Sequence, residues 1–98
     1  MSTWPFPEPP DLAVVTMKQI MEDHQPILYV SHERDEDGEP VWQFLPGQNR
    51  FEMADALIVG LGSVVRLDPT LSEIADLPIG YAATRDRVGG PWVRRQES

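Results

Sequence analysis

The chain has 98 residues, 41% hydrophobic and 24% charged, with 16 acidic side chains against 8 basic ones and no cysteine. A single domain of that length hides about 65% of the surface its unfolded form exposes, and the apolar fraction excludes a disordered protein despite a net charge of -8. The missing cysteines exclude disulfide staples, thiolate zinc sites and a cysteine nucleophile, and they fit a reducing compartment.

The proline-rich segment 1–11 opens the chain, with four of its ten prolines in the first ten residues. Each fixes its own φ and biases the preceding residue towards extended geometry, which predicts a polyproline-like arm ahead of one domain over 12–98. Trp4 and Phe6 are expected to dock on that domain, since a free Trp-Pro-Phe segment is an unprotected apolar patch. Leu12 to Val15 is a short strand-type run. Thr16 then offers an N-cap with Gln19 three residues on, and Met17, Ile20 and Met21 form one apolar face, so the spacing predicts a helix over 17–23 stopped by Pro26.

Ile27 to Ser31 and Val41 to Leu45 are β-branched and aromatic, and His32 to Pro40 between them holds no apolar residue. That pattern predicts a hairpin. Asn49 caps a short helix over 50–55, with Glu52 at the third helical position. Ala56 to Leu61 reads as a buried strand ending in a Gly60-Leu61-Gly62 bend. Asp68-Pro69 is an N-cap followed by proline at the first helical position, with Leu71, Ile74 and Ala75 facing inward and Pro78 ending the helix. Ile79 to Arg85 alternates with Ile79, Tyr81 and Ala83 on one face, and Pro91 to Arg95 makes a last strand. The sum is a single α+β domain, an antiparallel or mixed sheet of five to six short strands with two to three short helices. Trp42, Phe44, Tyr81 and Trp92 are its expected core aromatics.

Charge divides unevenly. Residues 1–49 hold nine acids and two bases, and residues 50–98 hold seven acids and six bases. A nucleic-acid surface needs the opposite sign, so that partner is disfavoured. The longest apolar stretch, Ala56 to Val65, is half of what a membrane span needs, and MSTWPFPEPP lacks the basic and apolar regions of a secretory signal. A cytoplasmic protein is expected.

Glu33-x-Asp35-x-Asp37-Gly38 matches the start of a calcium loop, but its twelfth position is Phe44 where a bidentate Glu is required, and strands flank it. A solvated hairpin loop is the plain reading, and an acidic contact surface made of Glu33, Asp35, Glu36, Asp37 and Glu39 is the functional one. Gly60-x-Gly62 has Val65 where a dinucleotide loop needs its third glycine, so close backbone packing explains it better. His24 and His32 sit in polar segments without metal-ligand spacing and read as surface residues, and Ser63 lies outside any nucleophile elbow. Arg85, Arg87, Arg94 and Arg95 suggest a basic rim. Nothing singles out a catalytic pair, a metal site or a cofactor, so no enzyme is expected.

The order of elements resembles a family. A strand with an Ile-Met pair, Val14 to Met21, precedes an ILYV strand and an acidic loop, then Trp42-Gln43-Phe44-Leu45-Pro46-Gly47, then Asp68-Pro69-Thr70-Leu71 and Pro78-Ile79-Gly80-Tyr81-Ala82. From about Leu12 to Arg85 this is similar to small bacterial domains predicted to be immunity proteins of polymorphic toxin systems, of the type called immunity protein thirty-three. The chain departs from that pattern at Glu39-Pro40-Val41, where the family tends to Asp-Ser-Gly, and at Gln48-Asn49, where it tends to acids. The resemblance implies a binding protein that neutralises a toxin, and a basic toxin would suit the acidic loop through electrostatic steering. It brings no catalytic residues. The alternative is a small regulatory or ligand-binding domain, with a homodimer among the arrangements open to either.

Overall fold

The computed structural model describes residues 4–47 and 50–97. Its strands are β1 Ala13–Met17, β2 Tyr29–Arg34, β3 Pro40–Leu45, β4 Ala56–Gly60, β5 Tyr81–Thr84 and β6 Val93–Gln96. They form one mixed sheet in the order β4-β1-β3-β2-β5-β6, in which β1 runs parallel to β3 and the other neighbours are antiparallel. The helices are α1, Lys18–Met21, and α2, Leu61–Leu67, with 3₁₀ segments at Met53–Asp55 before β4 and at Pro69–Ile74 after α2. The expected α+β domain is what forms.

Register sorts the strand residues onto two faces. Val30 stands opposite both Phe44 and Ala83, and Val14 opposite Val59, which places these side chains on one side. Ile20 of α1, Leu61 and Val64 of α2, Leu71 and Ile74 of the second 3₁₀ segment, and Leu77 all pack there, around Trp42 and Phe44 at zero exposure. Tyr81 and Trp92 lie half-buried against that core. The other face carries only a small cluster of Met17, Tyr29, Leu45 and Ala82 with Ala56, and no helical residue belongs to it. The result is a two-layer domain in which helices cover one sheet face; on the other, where no helix packs among the described residues, Met17, Ser31, Leu45 and Ala82 are buried by neighbouring strand side chains.

The arm is part of the core. Phe6 is 4% exposed and meets Trp42 edge-on at 5.3 Å, while Trp4 packs beside it. Pro10 then passes across the start of α2. Its carbonyl accepts the Gly62 N–H at 2.8 Å, and a Cβ built on Gly62 would lie 3.0 Å from the Pro10 Cβ. A side chain there would have to push Pro10 back by a few tenths of an ångström, so glycine fits the approach best.

Several local expectations are corrected. Helix α2 occupies Leu61–Leu67, where the sequence suggested a bend followed by nothing regular. Gly62 and the adjacent Val64 and Val65 have poor helix propensity, so the signal was weak. Tertiary contacts override it: Leu61 and Val64 are buried, and the Leu61 and Gly62 amides donate to the Leu12 and Pro10 carbonyls. Thr16 is no cap. It lies within β1 and its hydroxyl donates to the Phe44 carbonyl at 2.9 Å, satisfying a buried polar group, so the helix shrinks to Lys18–Met21 and Met17 joins the strand. The segment 50–55 is helical only over Met53–Asp55 with Glu52 in the cap position, and Asn49 lies outside the described residues. Asp68 does cap as expected, accepting from the Thr70 N–H at 3.0 Å, but the helix it starts is 3₁₀ rather than α. Ile79 is an exposed residue ahead of β5 and not part of its inward face.

Candidate binding surface

The β2–β3 hairpin carries the five acidic residues singled out by the sequence. Both strands run further than expected, leaving a loop of residues 35–39. Asp35 organises it. One carboxylate oxygen accepts the N–H groups of both Asp37 and Glu39 at 2.9 Å, and the Asp35 and Glu39 backbones bond at 2.9 Å across the base. Gly38 supplies the left-handed residue at φ 82, and Arg34 donates to its carbonyl at 2.8 Å. Asp35 is therefore a positioning residue of the turn. Glu36 and Asp37 are left exposed at its tip and Glu39 at its base, and none of them joins an ion pair among the described residues. Glu33 stands apart from them, exposed at the end of the helix-free face of β2 opposite Val41. It borders an open groove of about 530 Å³ together with Arg34, Ile79 and Gly80.

Of the two histidines read as surface residues, one is and one is not. His24 is exposed, in a left-handed conformation at φ 57. His32 is not a surface residue: it is 6% exposed, and its ring stacks on Trp42 at 3.9 Å. Its Nδ1 lies 2.7 Å from the Leu77 carbonyl, which accepts, so Nδ1 carries the proton. Nε2 points towards Glu8 of the arm at 3.7 Å, and the same Glu8 oxygen accepts from Trp42 Nε1 at 3.1 Å. His32 lies on the inward face by strand parity, since it pairs with Trp42 and Tyr81. Sequence reading missed this because the polar run after Ser31 looks like loop, and only the extension of β2 to Arg34 makes parity apply.

The basic rim does not exist as a rim. Arg85 is buried, donating to the Asp68 carboxylate, to the Thr70 hydroxyl at 2.8 Å and to the Ile27 carbonyl at 3.0 Å, with the Trp92 ring 4.2 Å from its guanidinium carbon. Arg94 is engaged with Asp76 at 2.6 Å and the Glu73 carbonyl at 3.0 Å, and that pairing holds the Asp76 carboxyl below its ordinary pKa. Arg87 and Arg95 are exposed.

Beside the Asp68–Arg85 pair lies a cavity of about 300 Å³, lined mainly by Ile20, Ile27, Leu67, Pro69 and Val88, with His24 at its border. That is the lower limit of volume for a small-molecule site. Its polar floor is satisfied internally, because Asp68 and Thr70 bond to one another and to Arg85. Among the described residues no group of three or more His, Asp or Glu side chains is placed to hold a metal ion, and no helix is long and apolar enough to cross a membrane. Comparisons with family models, with curated proteins and with solved structures find no match to this chain.

Proposed function

We propose that this is a non-enzymatic binding protein that neutralises a basic protein partner by direct contact, as the resemblance to toxin immunity proteins implies. The observation that carries this reading is the internally braced hairpin: Asp35 fixes the loop, and Glu36, Asp37 and Glu39 project from it with no cation paired to them among the described residues. A loop already ordered loses little conformational freedom on binding, and unpaired carboxylates on a chain of net charge -8 accelerate encounter with a basic surface. Glu33 and the exposed Ile79 border the neighbouring groove, which suits the aliphatic stem and cationic head of a lysine or arginine. On this reading the protein acts in the cytoplasm, in keeping with a chain free of cysteine.

The test begins with capture of a basic protein from source lysate at low salt, then quantitative binding with the purified pair. Replacing Glu33, Glu36 and Glu39 by Gln and Asp37 by Asn, while sparing Asp35, keeps the turn and removes the field. Association at low salt slows by about tenfold or more if the tip is the contact surface. An unchanged affinity and an unchanged salt dependence overturn the reading. A second reading, a small-ligand domain, rests on the 300 Å³ cavity; a thermal-shift screen with small apolar compounds, read against a Leu67→Trp variant that fills it, tests that reading separately.

A further inference from the structure

The two edges of the sheet are unlike. β6 carries Arg94 and Arg95, and charge on a short edge strand hinders further pairing. β4 reads Ala-Leu-Ile-Val-Gly, carries no charge, and has no strand on its outer side among the described residues. Register fixes which of its backbone groups are free. Leu61 N–H donates to the Leu12 carbonyl at 2.8 Å, one step beyond the Ala13–Gly60 pair. Bonded and non-bonded pairs alternate along an antiparallel ladder, so Leu57 and Val59 direct their N–H and C=O groups to β1, whereas Ala56 and Ile58 direct theirs outward. The Ile58 side chain is 69% exposed, and Met53, just ahead of the strand, is 77% exposed. Unpaired backbone beside bare apolar side chains is what recruits another strand.

We propose that β4 pairs antiparallel with β4 of a second copy of this chain, about a twofold axis at Ile58, so that one sheet runs through both protomers. A twofold axis demands a self-complementary patch. The strand meets that demand: Ile58 faces its own equivalent, and the small Ala56 of each copy faces Gly60 of the other, leaving room for the central pair. Charge selects this occupant over a basic protein. The chain carries -8 overall, yet charges of both signs flank β4. Lys18 follows the Met17 that pairs with Ala56, and Arg66 lies in α2 directly after the strand. Asp55 directly precedes the strand, and the Asp11 backbone comes 3.9 Å from where a Gly60 Cβ would stand. In the antiparallel pairing the end of β4 beside Lys18 and Asp55 in one copy meets the end beside Asp11 and Arg66 in the other, so a second copy offers each charge an opposite one, which a uniformly basic partner does not. The acidic hairpin lies two and three strands away in the sheet order, about 10 Å or more, so both tips stay free in the dimer. This surface is independent of the acidic-tip reading.

Amide hydrogen exchange on the unmodified chain, followed over a dilution series beside sedimentation velocity, tests it. The Ile58 amide is expected to gain about tenfold or more protection as the protein passes from monomer to dimer, while Leu57 and Val59 stay protected throughout. Ile58→Lys, at an exposed position, is expected to give a folded monomer, and Val93→Lys on the opposite edge is expected to leave the dimer intact. A monomer at every concentration, or a dimer in which the Ile58 amide exchanges freely, overturns the proposal. So does a folded Ile58→Lys chain that still dimerises. The exchange measurement needs no variant, so a misfolded substitution leaves the test standing.

Discussion

Arg85 and Asp68 form an ion pair whose arginine side chain is fully buried, tying the start of the second 3₁₀ segment to the end of β5. The guanidinium is satisfied on every side: Asp68 and Thr70 take two of its nitrogens, the Ile27 carbonyl takes the third, and the Trp92 ring covers its face. Breaking such a pair from one side leaves a charge stranded in the interior. Arg85→Met is expected to destabilise the fold by about 3–5 kcal/mol. Urea unfolding followed by tryptophan fluorescence checks this, and a loss under about 1 kcal/mol would mean that the pair adds nothing beyond packing.

Phe6 anchors the arm. Truncating a fully buried phenylalanine costs about 3–5 kcal/mol, so Phe6→Ala is expected to lower stability by an amount near the bottom of that range, because the arm can leave the site rather than hold open a cavity. Release should also expose the arm to proteolysis and shift Trp4 emission to the red. An arm that stays protease-resistant in this variant would show that Glu8 and Trp4 hold it without the phenyl ring.

Gly62 is expected to resist replacement although it sits in a helix. Alanine there gains about 1 kcal/mol of helix propensity. Its Cβ, however, would stand 3.0 Å from the Pro10 Cβ and 3.3 Å from the Pro10 carbonyl oxygen, and that carbonyl is held in place by the Gly62 N–H itself. The overpacking cost of about 1–3 kcal/mol should outweigh the gain. A Gly62→Ala chain with a raised melting temperature would show that the arm yields.

Tyr29 gives an alkaline signature. Burial, followed by the neighbouring Glu97 carboxylate that accepts its hydroxyl at 3.2 Å, pushes its pKa up to about 12 from an ordinary value near 10. The neutral phenol is therefore the form the fold favours. Its contribution is fully present below about pH 10 and is lost as pH rises through about 12. Tyr29→Phe should be slightly less stable at neutral pH and should lose less stability than the parent over that interval. Parallel losses in the two proteins would show that other groups govern alkaline unfolding.

Much of this molecule was legible in its residues. The β-branched and aromatic runs ILYVS and VWQFL, the polar run between them, and Asp68-Pro69 pointed to the hairpin and the capped helix start, because strand propensity and cap chemistry act within a few residues. The five acids were equally plain, since charge and a glycine at the turn need no partner to be read. What sequence alone could not decide were the features set by distant contacts. Val64 and Val65 became helical because Leu61 and Val64 had a core to fill and Pro10 supplied acceptors. His32 and Arg85 went inward because strand parity and the register of β2 with β3 and β5 placed them there, and each then found its partners 15 or more residues away. Asp35 was separated from its four acidic neighbours in the same way, by loop hydrogen bonds that composition does not encode. Local rules specify where chain segments extend, coil and turn. Which polar groups are buried together, and which strand edge stays open, follow only once the sheet order brings distant segments into contact.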